Sequence, residues 1–328
     1  MNKNVLITGG LGFIGIHCVQ KWRKQGYNIW IIDNLSSNAV DSNHEIVKDT
    51  NIILKDILDV NWNDLPEFDL ILHLASPVGP VGVLKHSGKM ARIILDDIYW
   101  AINVAKFNKC PLVFVSTSEI YGYRKQKSYL KESDDKVLHG EFTVRNEYAM
   151  AKLLAEIVLS NHAKIDDTFK YQIVRPFNVT GKYQLPNGGF VLPRFVEQAL
   201  EEKDITVYYS GEQLRAFTWV EDIVDGIYLT SIASPDNWNQ EWNIGNKINE
   251  QTILYLAKKV KELTGSNSKI IHIDPIKLHG PLFSEAPEKI PNSDKIEILL
   301  GWKATKCVDD VVQEVIDFYK NILKKKNE

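Results

Sequence analysis

Short apolar runs recur along the first third of the chain, and polar or helix-patterned stretches separate them. Five of these runs predict strands: residues 5–8, 28–33, 51–55, 69–75 and 111–116. The run at 69–75 has little polar alternation, which is typical of a strand buried on both faces of a parallel sheet. Residues 90–107 have helical periodicity. This order predicts an α/β fold with a doubly wound parallel sheet, because crossovers between parallel strands are right-handed.

The first apolar run ends in three glycines with the spacing G-x-x-G-x-x-G, and helical periodicity follows. Gly9 allows a sharp turn, Gly12 allows the backbone to approach a pyrophosphate, and Gly15 allows close packing of helix on strand. Phe13 and Ile14 lie at the helix start, where free N–H groups and the helix dipole favour phosphate. The turn predicts a Rossmann dinucleotide-binding domain, and a structural glycine turn without a ligand is the alternative.

An acidic residue, Asp33, ends the second apolar run about twenty residues after the glycine turn, and Asn34 follows it. A carboxylate at this position suits the two ribose hydroxyls of NAD and repels the 2′-phosphate of NADP. No Arg or Lys occurs between Asp33 and Lys48 to receive such a phosphate. The predicted cofactor is therefore NAD.

The next two strands are expected to end at the same sheet edge as the glycine turn. Asp56 and Ile57 follow the third run and are predicted to flank the adenine ring, although a turn or N-cap role suits Asp56 almost as well. Three mostly small residues end the fourth run and leave room for the dinucleotide: Leu74, Ala75 and Ser76. Residues 77–88 contain three glycines and two prolines, which predicts a loop that borders the sugar.

Hydroxyl and carboxyl side chains follow the fifth run, at Thr117, Ser118 and Glu119. Tyr148 and Lys152 lie four residues apart in the next predicted helix and share one face. A lysine cation near a phenol favours the tyrosinate, which makes Tyr148 a usable base at neutral pH. Thr117 ends a strand over the same crevice and is placed to share the hydrogen bond of a substrate hydroxyl.

Seven motifs follow one another along nearly the whole chain: Thr8–Gly15, His73–Ala75, Ser116–Gly122, Tyr148 with Lys152, Arg175–Gly181, Arg215–Asp222 and Leu299–Trp302. With these motifs the chain resembles the extended short-chain dehydrogenase/reductases of the nucleotide-sugar epimerase/dehydratase group. Such enzymes hold NAD, oxidise the C4 hydroxyl of the sugar, act on the 4-keto sugar and usually return the hydride. The resemblance therefore implies a nucleotide-diphosphate sugar as the substrate.

The resemblance also implies a role for each candidate residue. Tyr148 is the base for the C4 hydroxyl, Lys152 holds the nicotinamide ribose and assists Tyr148, and Thr117 orients the hydroxyl. Asn178 contacts the substrate near its diphosphate. Arg215 contacts a phosphate or a sugar carboxylate, and bidentate geometry suits arginine for either group.

A smaller C-terminal α/β lobe is expected to bind the rest of the substrate. The resemblance implies that the segment 188–208 grips the nucleotide base, with four candidates: Phe190, Val191, Arg194 and Tyr208. Core packing explains Phe190 and Tyr208 equally well. Lys289 lies where the family often has an arginine for the diphosphate, and a lysine lacks the bidentate geometry.

The identity of residue 119, a glutamate, helps to distinguish between the reactions of this family. Simple 4-epimerases of the family usually have a small or neutral residue there, whereas UDP-glucuronate decarboxylases and 4,6-dehydratases have Glu. Dehydratases normally precede it with Asp, which protonates the departing hydroxyl, so Ser118 disfavours dehydration. Ser118 and Glu119 together with Arg215 resemble the decarboxylase pattern. Because Glu119 is alternatively a polar wall of the sugar pocket, decarboxylation and epimerisation both stay open.

Two functions of other kinds are also open. One is a plain C4 or small-alcohol dehydrogenase on the same fold, and the other is a non-catalytic NAD sensor. Sensors on this fold tend to lose the catalytic pair, so the presence of Thr117, Tyr148 and Lys152 argues against a sensor.

Length and composition set the remaining expectations. The 328 residues predict an NAD-binding domain over 1–180 and a mainly substrate-binding lobe over 181–328, some segments of which return to the first domain. The net charge of −3 disfavours nucleic acid as a partner. Three scattered cysteines disfavour a disulfide framework and a zinc site, and no metal is expected.

No apolar run reaches transmembrane length, and a strand begins almost at once in place of a signal peptide. The chain is therefore expected to be cytoplasmic and away from membranes. The resemblance implies a homodimer that forms through helices at about 90–107 and 148–161.

Overall fold

The computed structural model describes residues 3–124, 127–138, 140, 142–285 and 288–327. The first half contains, in chain order, β1 (Asn4–Thr8), α1 (Phe13–Lys24), β2 (Asn28–Asp33), β3 (Asn51–Leu54), β4 (Leu70–His73), α2 (Gly79–Lys85), α3 (Met90–Asn108), β5 (Leu112–Val115), β6 (Tyr129–Leu130), α4 (Val144–Ile165), β7 (Tyr171–Pro176) and β8 (Val179–Thr180).

The second half contains α5 (Val191–Leu200), β9 (Ile205–Tyr208), β10 (Leu214–Ala216), β11 (Thr218–Trp219), α6 (Val220–Ser231), β12 (Gln240–Ile244), β13 (Glu250–Thr252), α7 (Ile253–Thr264), β14 (Ile270–Ile273), α8 (Pro275–His279), β15 (Ile290–Pro291), α9 (Asp294–Leu300) and α10 (Val308–Asn327).

A seven-stranded sheet forms the centre of the fold, in the order β3-β2-β1-β4-β5-β7-β12. Every neighbouring pair in it is parallel, which confirms the predicted doubly wound sheet. The order reverses direction between β1 and β4, and ligands of such folds bind outside the carboxyl ends of the strands at this point. Strand β12 comes from the second half of the chain and completes the sheet beside β7. The boundary near residue 180 stays a prediction.

Two apolar layers cover the sheet, one on each face. Helices α3 and α4 pack on one face, for example through Ile98 and Ala155, and α1 and α6 pack on the other through Trp22 and Ile223. A third core joins α5, α7 and α10 and holds the second lobe together. Because both faces are buried, the strands contain near-continuous apolar residues, which is why their positions are readable in the sequence.

The segment 77–88 is not a loop throughout, so that prediction is wrong. Residues Gly79–Lys85 form the two-turn helix α2, with Pro80 in its first turn. A proline there removes no helical hydrogen bond, because the first N–H groups of a helix have no intrahelical acceptor. Val83 is buried in the same core as Met90, and this packing outweighs the weak helix propensity of the glycines.

Two further observations concern side chains in the core and membrane contact. Cys18 and Cys110 are buried, and His73 is packed within β4, where its Nδ1 lies 2.8 Å from the Thr8 hydroxyl. Among the residues that the structure describes, no helix is both long and apolar enough to cross a bilayer. The cytoplasmic location stays a prediction.

Candidate active site

A cavity of about 750 Å³ opens at the carboxyl ends of β1, β4 and β5, and the second lobe forms its opposite wall. Most of the predicted site residues line it: Gly9, Gly12, Phe13, Ile14, Gly15, Leu74, Ser76, Thr117, Ser118, Glu119, Tyr148, Lys152, Asn178, Phe190, Val191, Arg194, Tyr208 and Arg215. Six others are not among the lining residues: Asp33, Asn34, Asp56, Ile57, Ala75 and Lys289. Helix α2 borders the cavity, as expected for residues 77–88.

The glycine turn forms a cradle that side chains would fill. A Cβ on Gly15 would lie 2.1 Å from the Gly9 carbonyl oxygen, and one on Gly9 would lie 2.9 Å from the Ala75 Cα. Gly9 also has a φ of +69°, which favours glycine. Helix α1 begins directly at this turn, so its first N–H groups are available to a phosphate. These residues therefore fit the pyrophosphate of a dinucleotide.

Asp33 and Asp56, which are predicted to contact the adenosine part of NAD, accept hydrogen bonds from backbone N–H groups. The Asp33 carboxylate accepts hydrogen bonds from the Leu11 N–H (3.0 Å) and the Leu35 N–H (2.8 Å), and burial raises its pKa. Asp56 accepts from the Leu58 N–H (3.1 Å), so the N-cap alternative for Asp56 is confirmed. Asn34 donates to the other Asp56 oxygen at 3.0 Å. Contacts of Asp33, Asn34 and Asp56 with NAD stay predictions.

Tyr148 and Lys152 both lie on α4 and both are buried. The Lys152 ammonium donates to the Val115 carbonyl at the end of β5 (3.0 Å), and burial lowers its pKa to about 7. Burial raises the pKa of Tyr148, and a hydrogen bond with Thr117 opposes this shift only in part. Desolvation is thus the largest influence on the pKa of Tyr148, and its use as a base beside Lys152 stays a prediction.

Glu119 is the centre of a charge cluster next to Thr117, in which Lys289 is buried and Glu119 and Arg145 are half-buried. Its Oε1 accepts from the Arg145 Nη2 at 2.8 Å and from the Lys289 ammonium. Burial opposes ionisation of this carboxyl, but Arg145 and Lys289 outweigh burial and hold its pKa well below its usual range. Burial also lowers the pKa of Lys289 to about 8. The Thr117 hydroxyl accepts from the Glu119 N–H (3.2 Å) and so fixes the turn that carries Glu119.

The second lobe contributes two arginines and an aromatic group. The Arg215 Nη2 donates to the Glu285 Oε1 at 2.6 Å. The Arg194 guanidinium lies 4.0 Å from the centre of the Tyr208 ring, which is cation–π distance, and it donates to the Thr206 carbonyl at 3.2 Å. Arg194 and Arg215 therefore bring two cationic side chains of the second lobe into the cavity that Tyr148 also lines.

Four buried polar atoms on cavity-lining residues have no hydrogen-bond partner in the described part of the chain: Arg145 Nε, Asn178 Nδ2, Arg194 Nε and Gln213 Oε1. Buried polar atoms are normally satisfied, so such a group around one cavity points to a polar ligand. Five cationic side chains line the cavity, namely Lys85, Arg145, Lys152, Arg194 and Arg215, against the carboxylates Glu119 and Glu285. The cavity therefore suits an anionic ligand.

Sequence reasoning missed several of these residues. Arg145 lies three residues before Tyr148 and so on the same helix face, which is a signal that was available in the sequence. Gln213 and Glu285 carry no comparable local signal, because long-range packing brings them to the cavity. No group of three His, Cys, Asp or Glu side chains that can hold a metal ion occurs within the described ranges.

Residues 5–245 match the model of the NAD dependent epimerase/dehydratase family, and the chain belongs to this family. It is an NAD-dependent enzyme of the nucleotide-sugar-modifying class, as the resemblance predicted. It is 31% identical to UDP-N-acetyl-alpha-D-glucosaminuronate decarboxylase of Bacillus cytotoxicus, over 98% of this chain and 99% of that protein. It is 28% identical to UDP-glucuronic acid decarboxylase 1 of Xenopus tropicalis, over 98% of this chain and 73% of that protein.

Solved structures share the fold. The UDP-glucose 4-epimerase of Thermotoga maritima superposes with a TM-score of 0.85 at 24% identity, covering 98% of this chain and 99% of that chain. The UDP-glucuronic acid 4-epimerase of Bacillus cereus, solved with UDP-glucuronic acid and NAD, gives a TM-score of 0.80 at 22% identity, covering 97% and 99%. The predicted fold class is thus confirmed.

Proposed function

We propose that this enzyme decarboxylates a UDP-linked uronic acid through a 4-keto intermediate. The observation that carries the proposal is the Glu119–Arg145–Lys289 charge cluster, which adjoins Thr117 at the cavity wall. The cationic cavity supports a substrate with a sugar carboxylate in addition to the diphosphate. The relatives named as UDP-glucuronic acid and UDP-N-acetylglucosaminuronic acid decarboxylases point the same way.

NAD supplies hydride transfer from and back to C4 when bound, and the glycine cradle with Tyr148 and Lys152 would hold it. In its ionised form, Tyr148 accepts the proton of the C4 hydroxyl, and Thr117, its hydrogen-bond partner, shares the hydrogen bond. Once C4 is a ketone, the C6 carboxylate is β to it. The C5–C6 bond then breaks, CO₂ leaves, and the bonding electrons form an enolate across C4 and C5.

The charge cluster favours this step over simple hydride return. Glu119 is held ionised, so it repels a neighbouring substrate carboxylate but not neutral CO₂. The Lys289 ammonium pairs with Glu119 behind the cavity wall, and water in the cavity would supply the proton that C5 takes up. Tyr148 returns its hydrogen bond to the enolate oxygen, which limits the charge that develops there.

The direct test uses the purified enzyme with NAD and either UDP-glucuronate or UDP-N-acetylglucosaminuronate, each labelled with ¹³C at the carboxyl group. We expect labelled CO₂ and a UDP-pentose, detected by mass spectrometry and proton NMR. UDP-glucose is the matched control, since it lacks the carboxylate and must yield no CO₂. An unchanged mass with an inverted C4 would instead identify an epimerase and reduce Glu119 to a pocket wall.

We infer that the homodimer forms through α3 and α4. Tyr99 on α3 and Leu154 and Ile157 on α4 are 44 to 47% exposed, and the last two lie three residues apart on one helix face. Exposed apolar side chains grouped on two packed helices favour association with a second copy.

Replacing Ile157 with Glu is expected to convert the dimer to a monomer, because a charge in an apolar interface has no partner. Light scattering coupled to gel filtration measures the mass. Ile298→Glu is the control, since Ile298 is 79% exposed on α9 and away from this face. A monomeric wild type, or a dimer in both variants, would contradict this interface.

A further inference from the structure

The residue before Tyr148 connects the catalytic helix to one wall of the cavity. The Glu147 carboxylate accepts hydrogen bonds from two backbone N–H groups outside α4: Oε2 from Gly88 at 2.6 Å and Oε1 from Ala91 at 3.3 Å. Both N–H groups lie where the chain passes from α2 to α3. We propose that Glu147 is a positioning residue, which holds α2 in place as the wall along which the nucleotide sugar binds. The inference rests on the proposed function for the identity of this ligand.

Helix α3 depends on the Glu147 carboxylate for its N-terminal cap. Its N-cap residue, Lys89, makes no side-chain capping hydrogen bond, and its first turn contains no acidic residue. The first N–H groups of a helix have no intrahelical acceptor, and a negative charge next to them is favourable. Glu147 supplies both the acceptor and the charge from the first turn of α4. The start of α3 is therefore fixed to the catalytic helix.

Helix α2 has little intrinsic stability. It is two turns long, it contains Gly79 and Gly82, and its N-cap residue makes no side-chain capping hydrogen bond. Because such a helix is marginal in water, its position depends on the groups that it packs against. Its N-terminal end packs on the second lobe, where a Cβ on Gly79 would lie 2.7 Å from the Phe190 ring. Its C-terminal end leads into the segment that Glu147 holds.

The two ends of α2 place this helix along the path of the substrate. Most residues of 79–86 line the cavity, and so do Tyr148 in the first domain and Phe190 in the second lobe. A nucleotide sugar with its C4 at Tyr148 and its nucleotide in the second lobe therefore extends along α2. Displacement of α2 removes this wall from the ligand, so the affinity for the nucleotide sugar depends on Glu147. The glycine cradle lies between β1 and α1 and does not depend on this contact.

The test compares the wild type with Glu147→Ala and Glu147→Gln, each loaded with NAD. Calorimetric titration with UDP-glucose, which has no carboxylate to lose, should show about tenfold weaker binding to Glu147→Ala, because two hydrogen bonds to a charged group are removed. Glu147→Gln keeps an oxygen acceptor and should recover part of this affinity. Asp96→Ala is the control, because Asp96 is a carboxylate on α3 that pairs only with the exposed Arg92 and does not line the cavity. It should bind UDP-glucose like the wild type.

Hydrogen exchange and kinetics separate positioning from a general loss of structure. Exchange should accelerate over residues 79–91 of Glu147→Ala and stay unchanged in α10 of the second lobe. The KM for UDP-glucuronate should rise by about tenfold, whereas kcat should fall by about threefold or less and bound NAD should be retained.

Three results would overturn the role of Glu147: unchanged affinity with unchanged exchange over 79–91, a loss confined to kcat, or release of NAD from Glu147→Ala. Release of CO₂ by the wild type is measured separately. Weaker binding of UDP-glucose by Glu147→Ala without CO₂ release from UDP-glucuronate by the wild type would therefore refute only the proposed reaction.

Discussion

Replacing Tyr148 with Phe is expected to lower kcat by about 1,000-fold or more, since the variant keeps the ring but loses the group that takes the C4 proton. Tyr148 is buried, and its hydroxyl forms a hydrogen bond with the Thr117 side chain directly after β5. The remaining contacts of the cavity are unchanged. The measurement is the rate of UDP-pentose formation from UDP-glucuronate at saturating substrate.

The same variant should retain NAD, because the glycine cradle and Lys152 are untouched. Bound NAD is released by heating and quantified by chromatography. Tyr255→Phe provides the matched control, since its hydroxyl bonds Asp309 in the second lobe, outside the cavity, and turnover should persist. Full activity in Tyr148→Phe would remove the assigned base, and loss of NAD would show a structural effect instead.

Replacing Glu119 with Gln is expected to separate oxidation from decarboxylation. Decarboxylation should fall by about 100-fold, because the variant no longer repels the substrate carboxylate and no longer holds Lys289. Oxidation at C4 depends on Tyr148 and Thr117 and should continue. The absorbance of NADH and mass spectrometry of the 4-keto uronate, measured in the same reaction, distinguish the two steps.

Glu119→Asp is the companion variant, because it keeps the charge at a shorter reach. If the negative charge of Glu119 drives the step, Glu119→Asp should decarboxylate faster than Glu119→Gln. Removing one partner of a buried ion pair also costs stability, so the thermal midpoint of each variant must be recorded. Undiminished decarboxylation in Glu119→Gln would make Glu119 a pocket wall.

Much of the fold was readable from the chain because its signals are local. The glycine turn, the acid that ends β2 and the apolar runs each depend on residues within a few positions, and both faces of the sheet are buried. Predictions from local sequence were wrong where tertiary packing decided the secondary structure. Residues 77–88 contain glycine and proline, yet a buried Val83 makes seven of them helical.

The sequence by itself determined the fold class and the family, because each rests on local patterns that recur in order along the chain, and local spacing also predicted the NAD cradle and the Thr117–Tyr148–Lys152 set. Only the tertiary structure decided which charges meet. Lys289 lies 170 positions from Glu119, and Glu285 lies 70 positions from Arg215, yet each pair is in direct contact. Such contacts follow from how the second lobe packs on the sheet, and this packing depends on the whole chain rather than on any local pattern.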